Sequence, residues 1–365
     1  MKFIKLLPIA LFILALTSCK IGRFFVYNVA GIQDHKIFPN RSINKGDSIF
    51  TFIKGPEIKP DSITIDDRKL DFDDFLKEQK SVAFLIIRND SILYERYFRT
   101  YNKSSIIPSF SMAKSITSIL IGIAIDEGLI KSVNDPVTKY IPELKNNGFE
   151  KVTLKHLLQM TSGLDYDESY FNPFGDVASF YYGTRLRKEI LNMKLKYTPG
   201  EKFEYLSGNT QILGLVLERA LKGTSISKYL QEKLWIPLGM EYDASWSIDR
   251  RENGMEKTFC CLNARARDFA KIGRLYLNKG NWNGQQIVSE NWVKESTKVD
   301  RSEGSKRYYQ YQWWLPSDNG DYMAQGILGQ YIYVHPEKNL IIVRLGKKQG
   351  NVSWWNVLPA TAKNY

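Results

Sequence analysis

Histidine and cysteine are scarce in this chain, and their scarcity removes much of the chemistry a protein of this size could carry. Its 365 residues include three of each. A serine, histidine and carboxylate triad would have to use His35, His156 or His335, and no Gly-x-Ser-x-Gly elbow accompanies any of them. His156 fits a helix face and His335 the end of a strand. No zinc-ligand spacing and no phosphate-binding loop occur, so neither a metal nor a cofactor is expected. Cys260 and Cys261 are adjacent, and neighbouring cysteines pair only with strain. They are expected as small buried apolar residues, without a disulfide framework.

An apolar run long enough to span a bilayer is also lacking, and the one at the start is no exception. Residues 6–16 are apolar except for Pro8, follow Lys2 and Lys5, and are too short to span a bilayer. They lead into Leu16-Thr17-Ser18-Cys19, which resembles the lipobox of bacterial lipoproteins. That resemblance implies a signal peptide over 1–18 and a lipidated Cys19. The expected location is outside the cytoplasm, on the periplasmic or cell-surface face of a bacterial membrane, held by the N-terminal lipid.

The formal charge is +12, spread along the chain rather than gathered in one basic run. No zinc pattern, basic helix or aromatic RNA-binding motif goes with it, so a nucleic-acid partner is not expected. A basic exterior suits anionic lipid or cell wall. With 43% hydrophobic and 13% aromatic residues the chain can bury a large core, and it shows no internal repeat.

Residues 19–70, with Pro39, Pro56 and Pro60 and many charges, read as a tether that becomes an irregular wrap. The folded body is expected over 71–365. A short amphipathic helix at 72–77 precedes two strand-like runs, 82–88 and 92–98, joined by Asn89-Asp90-Ser91 as an antiparallel hairpin. Asp135-Pro136 marks a helix start. A further short helix is expected at 153–160, and another over 211–221. Strand-like runs return at 308–315, 322–325, 330–335 and 340–345, and 352–362 closes as a helix. The pattern predicts an α+β fold: an antiparallel sheet built from both chain ends, with a mainly helical lobe inserted over about 130–300.

Ser-x-x-Lys occurs at Ser42/Lys45, Ser111/Lys114 and Ser225/Lys228. The first lies in a polar segment and the third fits a helix cap followed by a solvated lysine. Ser111 instead opens a run that is apolar on almost every face up to Gly128, the pattern of a buried helix. Residues three apart share a helix face, so the hydroxyl and the amine can meet. A serine hydroxyl attacks only when a base takes its proton, and a lysine short of water and near another cation has its pKa lowered enough to serve. The helix N-terminus favours the oxyanion of acyl transfer.

Ser111-x-x-Lys114, followed by Tyr205-Leu206-Ser207 ahead of Gly208-Asn209-Thr210-Gln211, resembles the serine β-lactamase-related family of β-lactamases, DD-peptidases, esterases and 6-aminohexanoate-dimer hydrolases. The segments 156–163, 237–240 and 266–273 resemble it too. The resemblance implies an α/β sandwich and an acyl-enzyme at Ser111, with Lys114 and Tyr205 moving the proton. A tyrosine near a lysine cation is expected to ionise more readily. Ser207 stands where the family carries asparagine and would position one of these groups.

Ala324-Gln325-Gly326 takes the place of Lys-Thr-Gly, so the cation that meets a β-lactam or D-Ala-D-Ala carboxylate is missing. That loss is worth about 1.5 to 3 kcal/mol and argues against those two activities. The amides of Ser111 and Ile327 would form the oxyanion hole. Gln325 and Gly326 would line the substrate site, and Tyr170 would close over it. The expected substrate is a small amide, ester or peptide-like molecule. Amide hydrolysis of the 6-aminohexanoate-dimer type leads, with esterase action close behind.

Overall fold

A computed structural model describes residues 20–27, 29–65 and 68–365, so the expected signal peptide and Cys19 lie outside the described residues. The segment expected as tether and wrap is more ordered than its composition implies. It holds a helix, α1 (Lys20–Tyr27), and a strand, Asn40–Ile43, that pairs antiparallel with Ala244–Ser247. Phe24 in α1 and Phe38 beyond it are buried, and these apolar anchors hold the segment on the body.

The main sheet has eight strands. In chain order they are β1 (Ile53–Lys54), β2 (Ser81–Arg88), β3 (Ser91–Tyr97), β4 (Tyr309–Gln310), β5 (Trp313–Trp314), β6 (Tyr322–Gly326), β7 (Gln330–His335) and β8 (Leu340–Gly346). Across the sheet they run β4-β5-β6-β7-β8-β2-β3-β1, so the two chain ends meet where β8 pairs antiparallel with β2. The expected antiparallel sheet needs one correction: the edge strand β1 runs parallel to β3. The expected strand at 308–315 is a short hairpin instead, because Tyr311 and Gln312 adopt φ of 39° and 72° and reverse the chain.

Alternation along the central strands explains their continuous apolar sequence. Leu85, Ile87, Ile332, Val334, Ile341 and Val343 face one core, while Phe84, Ile86, Tyr331, Tyr333 and Ile342 face the other. A sheet covered on both faces needs apolar residues at every position. Helix α2 (Phe72–Glu78) and the C-terminal helix Trp354–Ala362 cover the second face. Asp71 caps α2 by accepting from the Asp73 N–H at 2.9 Å.

The first face carries the largest core and the buried helix α3 (Met112–Asp126), in which every residue from Met112 to Ala124 is buried. Gly128, at φ +72°, follows its C-terminus. The helical lobe packs around α3 and includes α4 (Asp176–Tyr182) and α5 (Ser207–Ala220). Two expected helices differ. Asp135-Pro136 leads only into a single 3-10 turn, because Pro136 is extended and bridges to Thr153. The helix expected at 211–221 starts four residues earlier, at Ser207.

Packing against α3 leaves little slack. A Cβ added to Gly122 would lie 2.5 Å from Cδ1 of Trp292. Gly122→Val should therefore overpack the core and cost about 1 to 3 kcal/mol. The expected result is a lower urea midpoint with an unchanged slope, and an unchanged midpoint would refute this packing.

Candidate active site

Ser111 stands at the first turn of α3, directly after Phe110, whose φ of +44° is a left-handed conformation that a bulky residue rarely adopts. This turn presents the hydroxyl at the junction of the sheet and the helical lobe. Lys114, one turn on, is buried, and its Nζ lies 3.0 Å from Ser111 Oγ, 3.2 Å from Ser207 Oγ and 3.0 Å from the Phe259 carbonyl oxygen. Burial lowers the ammonium from 10.5 to about 8. The neighbouring cation expected from the sequence is not the cause; the one charge acting strongly on Lys114 is the carboxylate of Glu168, which raises its pKa.

Glu168 is the residue sequence reasoning missed. It lies in the loop after Leu164–Asp165, where Asp165, Asp167 and Glu168 look like an ordinary acidic surface turn in a basic chain. In the fold it accepts from Ser207 Oγ and from the Ser207 N–H, both at 2.6 Å, and from the Tyr170 hydroxyl at 3.2 Å. Those bonds fix the direction of the Ser207 proton. With its hydrogen committed to Glu168, the Ser207 oxygen can only accept from Lys114. A neutral Lys114 then spends its two N–H groups on Ser207 and Phe259, and its lone pair faces Ser111.

Tyr205 lies within the same cluster, hydrogen-bonded to Ser111, with Lys114 Nζ 5.1 Å from its ring centre. Its expected ready ionisation is not what the environment favours: burial pushes the phenol well above its ordinary value. Lys114 is thus the group near neutrality and Tyr205 a phenol that keeps its proton. Trp314 and Tyr309 pack against the Tyr205 ring at 5.1 and 5.8 Å and hold it in place.

The end of β6 runs beside this turn. A Cβ on Gly326 would clash with the Ser109 carbonyl oxygen and lie 3.1 Å from the Ser111 nitrogen, so only glycine lets the strand approach so closely. Ile327 follows it and, with Ser111, lines two cavities. One, of ≈ 300 Å³, is an open cleft bounded by Tyr205, Trp314, Gln325 and Gln349. The other, of ≈ 230 Å³, is more enclosed and apolar. Tyr170 borders both and is 40% exposed. The Gln325 amide oxygen accepts from Trp355 Nε1 at 2.8 Å, and no lysine or arginine lines either cavity among the described residues.

Cys260 and Cys261 correct an expectation: they are joined as a disulfide. Cys261 adopts φ +71°, and this tight turn brings adjacent sulfurs together where an extended chain would hold them apart. The turn also aims the preceding Phe259 carbonyl at Lys114. His156 serves as a helix cap, bonded to the Thr153 backbone, and is occupied structurally.

The family model for beta-lactamase matches residues 72–354. The chain belongs to the beta-lactamase family. It is 28% identical over 312 residues to the 6-aminohexanoate-dimer hydrolase of Paenarthrobacter ureafaciens, covering 80% of this chain and 78% of that one. Among solved structures it resembles a Bacillus anthracis protein provisionally named as a 6-aminohexanoate-dimer hydrolase, with TM-score 0.79, 25% identity and 89% of each chain covered. It also shares its fold with a family VIII carboxylesterase, at TM-score 0.64 and 18% identity, over 80% of this chain and 94% of the other.

If Lys114 takes the serine proton it must first be neutral, and kcat/KM should then rise with pH and level off above a bend near the lysine's value of about 8. Glu168 raises that value, so Glu168→Gln should move the bend to lower pH. A pH profile whose bend stays in place would show that the carboxylate does not act on Lys114.

Proposed function

We propose that Ser111 is the nucleophile of a serine hydrolase that cleaves an amide or ester through an acyl-enzyme. The observation that carries this reading is the Lys114 amine, buried without a bonded carboxylate and 3.0 Å from the Ser111 hydroxyl. Ser111 Oγ bonds to the substrate carbonyl carbon while its proton passes to Lys114. The carbonyl oxygen becomes an oxyanion facing the amides of Ser111 and Ile327. As the tetrahedral carbon collapses, the bond to the leaving group breaks. Tyr205 gives that group its proton and is resupplied from Lys114. Water then attacks the acyl-enzyme carbonyl, a proton passes from it through Tyr205 and Lys114 in the opposite direction to Ser111 Oγ, and the Oγ–acyl bond breaks to release the acid with Ser111 restored. Ser207 and Glu168 position Lys114 through this cycle.

Both amides and esters fit, because nucleophile, base, acid and amide donors are what either reaction needs. The name of the Paenarthrobacter relative makes a 6-aminohexanoate-type amide one substrate to try, and the fold shared with an esterase makes simple esters another. Among the described residues a β-lactam or D-Ala-D-Ala carboxylate would find no lysine or arginine in either cavity, which supports neither activity. The reading also places the enzyme outside the cytoplasm, held on a bacterial membrane by a lipid on Cys19; the support is the sequence Leu16-Thr17-Ser18-Cys19.

A panel of a chromogenic ester, linear amides and a β-lactam tests the assignment. Wild type should turn over the ester or an amide, Ser111→Ala should abolish it, and Tyr205→Phe should lower kcat by about 10² to 10⁴. Equal turnover by Ser111→Ala would overturn the nucleophile. A stoichiometric burst without turnover would make the protein an acylated sensor instead. For the anchor, fatty-acid labelling in cells should disappear in Cys19→Ser, and labelling that persists would refute it.

A further inference from the structure

The two cavities beside Ser111 differ in a way that bears on what the enzyme accepts. Tyr205 borders the open cleft and not the enclosed cavity. In acyl transfer the leaving group has to reach the acid that protonates it, so it occupies the cleft with Tyr205. The acyl part extends the other way, into the enclosed ≈ 230 Å³.

That space is walled by Phe24, Val177, Ala178, Tyr181, Phe259 and Leu328, among others, and no Asp, Glu, Lys, Arg or His lines it among the described residues. The polar end of Tyr181 is spent elsewhere, donating to Asp34 at 2.6 Å, so the tyrosine presents its ring. Phe24 belongs to α1, outside the 72–354 span matched by the family. It is buried and packs edge-on to Tyr182 with ring centres 5.8 Å apart, and α1 contacts α4, which supplies Val177 and Ala178. The N-terminal segment therefore completes a wall of the active site.

We propose that this cavity is an acyl-binding pocket that selects an uncharged aliphatic or aromatic acyl group, with α1 completing it through Phe24. The proposal rests on the Ser111 acyl-enzyme reading and narrows its substrate. Each methylene moved from water into the pocket raises kcat/KM by about fourfold until the space is filled. A charged end group would lose its water and find no partner there, so hexanoyl is preferred over 6-aminohexanoyl.

Two measurements on the folded protein test this. The first is kcat/KM for p-nitrophenyl acetate, butyrate, hexanoate, octanoate and 6-aminohexanoate. The expected octanoate-to-acetate ratio is well above tenfold, falling at least tenfold in Ala178→Phe, which fills the pocket, and severalfold in Phe24→Ala, which opens it. The second is calorimetric binding of octanamide and acetamide to Ser111→Ala, which reads the pocket without turnover. Octanamide should bind far more tightly, and the added Ala178→Phe should remove the difference. A flat chain-length profile, a ratio unmoved by both pocket variants, or equal binding of the two amides overturns the pocket even if esters are hydrolysed. Selective octanamide binding by a protein that hydrolyses neither esters nor amides upholds the pocket and overturns the hydrolase reading. If Ala178→Phe does not fold, Phe24→Ala and the wild-type profile still decide.

Discussion

The burial of one ammonium group organises the site. Lys114 sits in a helix whose neighbouring residues are all withdrawn from water, and three oxygens meet its amine, none of them a carboxylate's. Lowering it from 10.5 to about 8 corresponds to roughly 3 kcal/mol of lost hydration that the contacts do not restore. The fold tolerates this cost because α3 is clamped between the sheet and the helical lobe, with the largest core around it. A lysine that could swing out to water would recover its proton, and the proposed mechanism would lose its base.

Around that lysine the remaining parts follow from hydrogen-bond direction. Glu168 commits the Ser207 hydrogen, Ser207 accepts from Lys114, and Lys114, which donates to Ser111 as an ammonium, turns an electron pair toward Ser111 once it is neutral. Glu168 acts at one remove, tuning and orienting the base. Tyr205, pushed up by burial, keeps its proton, as the acid of the proposed mechanism needs to. The acidic and basic roles are thereby separated by environment rather than by residue type.

How much of this could be read from the sequence depended on whether the signal was local. The apolar run after Ser111, the Asn89-Asp90-Ser91 turn and the strand-like runs at 82–98 and 322–345 are set by nearby residues, and their elements stand close to where the sequence predicts them. The family resemblance was carried by short ordered motifs that survive in sequence. The missing pieces depend on distant packing. Glu168 lies 39 positions from Ser207, and nothing near it distinguishes a site carboxylate from a solvated one. The segment at 20–43 looked irregular because its anchors, Phe24 and Phe38, are isolated apolar residues that gain meaning only against Tyr181 and Tyr182. The Cys260–Cys261 bond depends on one backbone angle that adjacency alone does not reveal.

The central claim is that the fold lowers Lys114 to about 8 by withholding water from it, so that a reactive share of the amine is neutral near physiological pH. Direct titration of its side chain, followed through the ε-carbon resonance in protein labelled at lysine and assigned with Lys114→Arg, measures this without substrate. The account predicts a midpoint near 8. A midpoint at or above the ordinary lysine value of about 10.4 would contradict it.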